Sequence, residues 1–259
     1  MKLSIITINR NNKDGLEKTI RSVIAQTCRD YEYIVIDGAS TDGSADIIRQ
    51  YEKKISCWIS EPDQGIYNAM NKGILQAHGD YCIFMNSGDC FHDPDVIARF
   101  ESYFNHRNAI VVGRITYSDD PVGWCPDTRQ TFRRYWGNHL PHQASFIRCD
   151  LFERIGLYSE NYKIASDFCF FFKAILIEKA TVLVIDSPVA VQESKGISSV
   201  ARKLLEAEKL LFLKNELHWK WQILYYILIH YEKGKRLLLS PVLKWLIPRK
   251  YAKLRWNEK

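Results

Sequence analysis

Residues 57–73 have the sequence CWISEPDQGIYNAMNKG and residues 79–89 the sequence GDYCIFMNSGD, and this stretch decides the fold. Its first four residues are short and apolar, which predicts a strand, and Asp-Gln-Gly at residues 63–65 is typical of a turn. Apolar side chains then recur at helical spacing until Gly79, which we expect to end the helix; they are Ile66, Met70, Ile74 and Ala77. The stretch therefore predicts a strand, a turn, a helix and a second strand.

The second strand, residues 81–85, has no polar face and is followed by Asn86-Ser87-Gly88-Asp89. Such strands are buried on both sides in parallel sheets, and ligands bind beyond their carboxyl ends. A carboxylate in this position suits a hard cation, so we predict that Asp89 holds Mg²⁺ or Mn²⁺. A polar surface loop is the alternative interpretation.

The composition is that of a globular protein with one large domain and an appendage. The chain has 259 residues, of which 46% are apolar and 25% charged. Its net charge of +6 is uneven, because residues 201–259 contain 14 Lys and Arg against 5 Asp and Glu. The 7 cysteines include no Cys-x-x-Cys pair, which favours reduced thiols in the cytosol over a disulfide framework or a zinc site. We find neither a signal peptide nor an apolar run long enough to span a bilayer.

Two other predicted strands end in polar residues near the amino terminus. Residues 3–8 deliver Thr7, Asn9 and Arg10 to a sheet edge, and residues 31–36 end at Asp37-Gly38. An acid at a strand end can accept hydrogen bonds from a nucleotide, and a small neighbour lets that ligand approach. Helix capping is the alternative role for such acids. No Gly-x-Gly-x-x-Gly follows the first strand, so the dinucleotide fingerprint is absent.

The repeated alternation of strand and helix predicts an α/β fold with a mostly parallel central sheet flanked by helices. We assign residues 1–200 to a catalytic domain, with a nucleotide-binding half at 1–90 and an acceptor half at 91–200. Residues 201–259 form a basic, aromatic, helical extension. The segment 118–140 is expected to be irregular, and two late strands are predicted at 181–185 and 189–192.

The acceptor half contains two polar pairs, His142-Gln143 and Ser166-Asp167. Ser166 can cap a helix whose apolar residues begin at Phe168, and capping alone is one explanation of the second pair. His142 is a candidate base, a residue that orients acceptor or phosphate, or a structural histidine.

These motifs resemble family 2 of the inverting glycosyltransferases, which have an A-type, nucleotide-sugar-binding α/β fold. The likeness is strongest to bacterial members that build colanic acid and other surface polysaccharides. The order and spacing of the motifs over residues 1–198 support it; they are residues 3–9, 37–43, 60–73, 86–89, 142–143 and 166–167.

The resemblance implies roles for several residues. Asp89 would hold the metal, Asp167 would be the general base, and His142 would be its rival or an orienting residue. The nucleotide contacts would be Thr7, Asn9, Asp37 and Asp63, accompanied by Arg10, Gly38, Gly65, Asn71 and Ser87. Typical members have an Asp-x-Asp-Asp-like run, whereas Asp89 is the sole carboxylate of residues 86–89. A processive Gln-x-x-Arg-Trp motif is not matched, since Ala252 stands where the Gln should be.

We therefore predict transfer of a single sugar, with inversion, from a UDP- or GDP-sugar to a saccharide acceptor that is lipid-linked, in surface polysaccharide biosynthesis. A sugar nucleotidyltransferase and a non-catalytic membrane-docking scaffold are the alternatives. The basic tail would bind the inner face of the cell membrane, which makes the protein cytoplasmic and peripheral. A homo-oligomer is left open, and no nucleic-acid partner is expected.

Overall fold

The computed structural model of the protein describes residues 2–105, 107–128, 131–137, 140–193 and 201–232. The chain divides into two compact units, Met1–Phe212 and Leu213–Lys259. The strands are β1 Leu3–Asn9, β2 Tyr31–Asp37, β3 Cys57–Ser60, β4 Tyr81–Phe84, β5 Cys90–Phe91, β6 Ile110–Tyr117, β7 Asp120–Trp124, β8 Ser145–Arg148 and β9 Val182–Gln192. The α-helices are α1 Lys13–Ile24, α2 Ser44–Gln50, α3 Ile66–Leu75, α4 Val96–Phe100, α5 Phe132–Gly137, α6 Asp150–Ile155, α7 Ser166–Phe172, α8 Arg202–Asn215 and α9 Trp219–Glu232.

The strands of the described residues form one mixed sheet in the order β3-β2-β1-β4-β8-β6-β9-β5, with β7 paired to β6. The first four of these strands are parallel, and β1 is paired with β2 on one side and β4 on the other. Their carboxyl ends therefore lie at one edge, as the sequence predicted. This parallel block confirms the predicted sheet for the nucleotide-binding half.

The other half of the sheet differs from the prediction, because β8 runs antiparallel to both of its neighbours, β4 and β6. The two predicted late strands are one strand, β9, which lies parallel to β6 and antiparallel to β5. The β6–β9 register shifts beside Arg114 and Pro188. Proline has no N–H for a ladder bond, so an irregularity there lets one strand continue past it.

The core lies on both faces of the parallel block. Every residue of β1 is buried, and its side chains point alternately to opposite faces. Ile5 packs in a cluster with Leu16 and Ile20 of α1, while Ile6 lies against α3 on the other face. A strand covered by helices on both sides needs apolar residues at every position, which explains why residues 81–85 lack a polar face.

Gly79 has a different role from the predicted one. Helix α3 ends at Leu75, before this glycine. A Cβ at Gly79 would come within 2.7 Å of the backbone nitrogen of Ser4, so the residue permits close packing of the chain against β1.

The segment 118–140 is also more regular than predicted, within its described parts. It contains β7, which forms a hairpin with β6, and the short helix α5. Tyr135 and Trp136 of this helix are buried against Phe168 and Phe172 of α7. Tertiary packing of aromatic side chains therefore stabilises a helix whose local sequence has no clear periodicity.

The second unit is described from Leu213 to Glu232 and contains α9. The predicted tail segments at residues 233–259 lie outside the described residues. No helix in the described part of the chain is long and apolar enough to cross a membrane.

Candidate active site

The carboxyl ends of β1 and β2 hold a buried polar cluster around Asp37. Nδ2 of Asn9 donates to Oδ1 of Asp37 at 2.8 Å. The hydroxyls of Ser40 and Ser60 donate to the same carboxylate at 2.6 and 2.7 Å. Burial raises the pKa of Asp37, but these hydrogen bonds outweigh it, and the pKa lies below its usual value. Asp37 is thus held ionised as a fixed acceptor at the sheet edge.

The turn before α3 brings Asp63 to the same edge. Oδ1 of Asp63 accepts from the backbone N–H of Gly65 at 3.1 Å and lies 3.7 Å from the guanidinium of Arg10. The Arg10 side chain is 64% exposed, so it is available to an anionic ligand. A Cβ at Gly38 would overlap Oδ2 of Asp63, which explains the need for glycine there. Arg10, Gly38, Asp63 and Gly65, all predicted to contact the nucleotide, are therefore neighbours at this edge.

Three other residues that were predicted to contact the nucleotide form hydrogen bonds within the protein. The Thr7 hydroxyl is fully buried and donates to a main-chain carbonyl after β4 at 2.8 Å. Ser87 donates its hydroxyl to the carbonyl of Asn12 at 3.1 Å. The Asn71 amide bonds the backbone N–H and C=O of Tyr158, at 3.0 and 2.9 Å. Their roles in nucleotide binding stay predictions, and their observed contacts join neighbouring elements.

Asp89 follows β4 and is nearly enclosed, with 7% of its surface exposed. Burial raises the pKa of Asp89 to about 6, while Glu193 acts in both directions, since its backbone hydrogen bond lowers the pKa and its charge raises it. His142 and a hydrogen bond from Gln143 lower the pKa but do not compensate. Because burial disfavours the ionised form of Asp89, a cation placed beside this carboxylate would stabilise it.

A chain of hydrogen bonds connects this edge to the acceptor half. His142 lies between Asn86 and Asp167, with its Nε2 3.2 Å from the Asn86 amide nitrogen and its Nδ1 2.9 Å from Oδ2 of Asp167. When the amide donates to Nε2, the imidazole proton is on Nδ1 and is donated to Asp167. The Tyr67 hydroxyl donates to Oδ1 of Asp167 at 3.0 Å. Burial raises the pKa of Tyr67 well above its usual value, and the charge of Asp167 adds to this, so the hydroxyl keeps its proton.

The structure corrects the predicted helix cap at Ser166. Ala165 occupies the cap position, Ser166 is the first residue of α7, and its buried hydroxyl has no hydrogen-bond partner within the described residues. Asp167 does bond the N–H of Phe168, at 2.8 Å, but the same carboxylate also joins Tyr67 and His142. Capping alone therefore does not account for Asp167.

The site includes several side chains that the sequence did not single out as site residues, among them Tyr67, Gln143 and Glu193. Tyr67 lies in a helix whose pattern indicates only an apolar face, and Glu193 follows β9 with no local signal. Of the three, only Gln143 could have been found from the sequence, because it follows the predicted His142 in the same motif.

A cavity of about 410 Å³ lies beside this cluster. Its walls are the start of α3 with Tyr67, the loop before α7 with Glu160 and Lys163, and the start of α8 with Leu204. Tyr67 both lines the cavity and bonds Asp167, so the cavity is one side chain away from the candidate base.

For a divalent cation the structure offers Asp89 as the candidate ligand. No cluster of three or more His, Cys, Asp or Glu side chains in the described residues forms a ready metal site. The buried, destabilised carboxylate fits an oxygen-preferring ion such as Mg²⁺ or Mn²⁺, whose other ligands would be diphosphate and water oxygens.

A parallel block with a polar edge, joined through β4 to a mixed half of the sheet, is an α/β arrangement of the A-type glycosyltransferase class. The sequence profile of the family described as "Glycosyl transferase family 2" matches residues 4–179, and the chain belongs to that family. It is a glycosyltransferase enzyme that uses a nucleotide-sugar donor, as the sequence predicted. These matches do not support the alternatives of a nucleotidyltransferase or a non-catalytic scaffold.

Two relatives come from mycobacteria. An uncharacterized glycosyltransferase of Mycobacterium tuberculosis is 37% identical over 183 residues, which cover 68% of this chain and 69% of that protein. A PGL/p-HBAD biosynthesis glycosyltransferase of Mycobacterium bovis is 29% identical over 172 residues, covering 64% of this chain and 67% of that protein.

Two solved structures share the fold. TarS of S. aureus, in complex with UDP-GlcNAc, is 18% identical with a TM-score of 0.67, over 84% of this chain and 68% of that chain. The mannosyltransferase PcManGT of Pyrobaculum calidifontis, in complex with GDP-Man and Mn²⁺, is 17% identical with a TM-score of 0.60, over 81% of this chain and 61% of that chain. Both of these structures contain a nucleotide sugar, and the second also contains Mn²⁺.

Proposed function

We propose that the protein transfers a single sugar, with inversion, from a UDP- or GDP-sugar to a lipid-linked saccharide in the biosynthesis of a cell-surface glycan. One observation supports this most directly: the Asp167 carboxylate, held by Tyr67 and His142, is connected through Asn86 to the edge that carries Asp89. A base and a donor edge joined in this way suit attack on a bound nucleotide sugar.

In the proposed reaction the acceptor hydroxyl attacks the anomeric carbon from the side opposite the diphosphate. As the new C–O bond forms, the hydroxyl proton passes to Asp167 and the anomeric C–O bond to phosphate breaks, releasing the nucleoside diphosphate. Tyr67 and His142 orient the carboxylate. A divalent cation held at Asp89 would supply Lewis-acid stabilisation of the leaving diphosphate.

The donor and acceptor would occupy adjoining parts of the site, because Gly65 bonds Asp63 and also lines the cavity. The nucleotide would lie against Asn9, Asp37 and Asp63, with Arg10 near its phosphates, because these side chains converge at the sheet edge. The acceptor would enter by the cavity beside Tyr67, whose size suits a monosaccharide or disaccharide unit and whose wall offers Glu160 and Lys163 to sugar hydroxyls.

The proposed function is tested with a panel of UDP- and GDP-sugars. We expect one donor to raise the melting temperature in the presence of Mn²⁺, because a ligand that binds the native state stabilises it by mass action. That donor should then yield a glycoside with the opposite anomeric configuration, determined by NMR, and free nucleoside diphosphate. Retention of configuration, or release of inorganic diphosphate from a nucleoside triphosphate, would contradict the proposal.

We also propose that the basic tail holds the enzyme on the cytoplasmic face of a membrane, where a lipid-linked acceptor is found. Its support is the charge of residues 201–259 together with their aromatic side chains. Each Lys or Arg near an anionic surface contributes about 1 kcal/mol to binding, and aromatic rings favour the headgroup region.

This placement predicts that full-length protein sediments with anionic liposomes at low salt and less at high salt. Replacing the three basic residues of 233–236 by Gln should weaken sedimentation. Replacing the three basic residues of 49–54 by Gln is the matched control and should leave it unchanged. Equal loss in both variants would indicate non-specific charge attraction, and no loss in either would argue against a tail anchor.

A further inference from the structure

Helix α8 lies outside the segment that matches the family, which ends at residue 179. It nevertheless contacts the residues on either side of the candidate base. Its Glu208 is 5% exposed. Oε1 accepts from the backbone N–H of Lys163 at 2.8 Å. Oε2 accepts from the N–H groups of Ile164 and Ala165, both at 3.0 Å. One buried carboxylate therefore holds three consecutive backbone amides.

Those amides lead directly into α7. Ala165 is the cap residue of that helix, and its backbone N–H is bonded by Glu208, as the acid of a capping box would bond it. Asp167 is the second residue of the helix. Its position relative to Tyr67 and His142 depends on where the helix begins, and Glu208 fixes that point.

A second residue of α8 contacts Phe168, the residue that follows Asp167. The ammonium of Lys209 lies 4.7 Å from the centre of the Phe168 ring and 3.2 Å from Glu206. Phe168 is fully buried and follows Asp167 in the chain. Helix α8 thus contacts the residues immediately before and after the short stretch that contains the base.

We propose that Glu208 is a positioning residue that holds the Asp167 carboxylate in its catalytic orientation. This inference rests on the proposed role of Asp167 and adds a residue that the family match does not include. Lys163 and Ile164 also line the cavity beside Tyr67, so the same contact aligns that wall with the base.

The decisive variant is Glu208→Gln, which keeps the shape but turns one acceptor oxygen into a donor. At least one of the three amides then faces an N–H group. We expect kcat to fall by about 10- to 100-fold, since small misplacements of a reacting group have costs of this size. The dissociation constant for the donor should stay within about twofold, because the nucleotide edge is untouched.

Glu153→Gln is the matched control, since it makes the same chemical change at an exposed carboxylate of α6. It should change kcat by less than about twofold. Glu208→Asp keeps the charge and should recover part of the activity; it also serves if Glu208→Gln does not fold. In an Asp167→Asn background, Glu208→Gln should add no further loss if it acts through Asp167.

A spectroscopic readout separates this inference from the proposed function. The Nδ1 proton that His142 shares with Asp167 should give a downfield NMR resonance, assigned by its loss in His142→Asn, and Glu208→Gln should shift it without any turnover. If wild-type enzyme transfers no sugar, the proposed function fails while this test still stands. An unchanged resonance, an additive effect in the double variant, or an equal loss of donor affinity and kcat would overturn the positioning role.

Discussion

We expect Asp167→Asn to lower kcat by roughly 10²- to 10⁴-fold while donor binding persists. The amide is nearly isosteric with the carboxylate but cannot accept the acceptor proton. Among its contacts are hydrogen bonds with Tyr67, His142 and the N–H of Phe168, and none of these three groups belongs to the edge formed by Asn9, Asp37 and Asp63. The dissociation constant of the donor, measured by calorimetry beside steady-state kinetics, should therefore match that of the wild type.

Asp46→Asn provides a matched control for this result, because Asp46 is an exposed carboxylate of α2 paired with Arg49. It should leave both constants within about twofold of the wild type. If Asp167→Asn retains activity within a few-fold, the base must be another group. His142 is then the candidate, and His142→Gln would be expected to show the large loss instead.

Asp89→Asn should have two opposite effects. Metal-dependent donor binding and turnover should fall by roughly 10²- to 10³-fold or more, because the variant loses the charge that would hold the cation at the diphosphate. The metal-free protein should become more stable at neutral pH. Burial places the pKa of Asp89 at about 6, against an ordinary value of 3.8, so its ionised form opposes folding.

The pH dependence follows from the sign of that shift. Between about pH 4 and pH 6 the folded state binds a proton that the unfolded state releases, so stability falls as the pH rises through this window. Above it the cost amounts to about 3 kcal/mol, an upper value that local relaxation reduces. Asp89→Asn should remove this dependence and stabilise the metal-free protein by roughly 1–3 kcal/mol at pH 7.5.

Denaturant unfolding in the presence of a chelator, at pH 7.5 and pH 5, measures the effect. The Asp46→Asn variant serves again as control, since its carboxylate is exposed. Lower stability of Asp89→Asn at pH 7.5 would show that the carboxylate supports the fold. Unchanged nucleotide affinity and metal response in a folded Asp89→Asn protein would remove Asp89 from the donor site.

The polar edge of the parallel block could be predicted from the sequence because it results from local patterns of a few residues. Each strand of the parallel block is a short apolar run, and the residue after it is polar. Parallel strands bring their carboxyl ends to one edge, so Asn9, Asp37 and Asp89 could be grouped before any distance was known. The register of β1 with β2, which pairs Asn9 with Asp37, agrees with that grouping.

The direction of the strands in the other half of the sheet could not be predicted in the same way. The strand β8 has four residues and follows a single helical turn, and its direction depends on which strands it pairs with. Residues 181–192 were divided at Pro188, because a sequence pattern does not show that a neighbouring strand can shift its register to accommodate a proline.

The sequence alone determined the α/β class, the parallel block with its polar edge and the candidacy of Asp89, since periodicity and strand-end chemistry act over a few residues. The candidacy of Asp167 came from the resemblance of the sequence motifs to the family. The tertiary structure decided what surrounds those carboxylates. Tyr67 and Asp167 are 100 residues apart, Asn86 and His142 are 56 apart, and Glu208 is 43 residues from Ala165. Contacts over such separations are formed by packing of whole elements, and the burial that sets the pKa of Asp89 exists only after that packing.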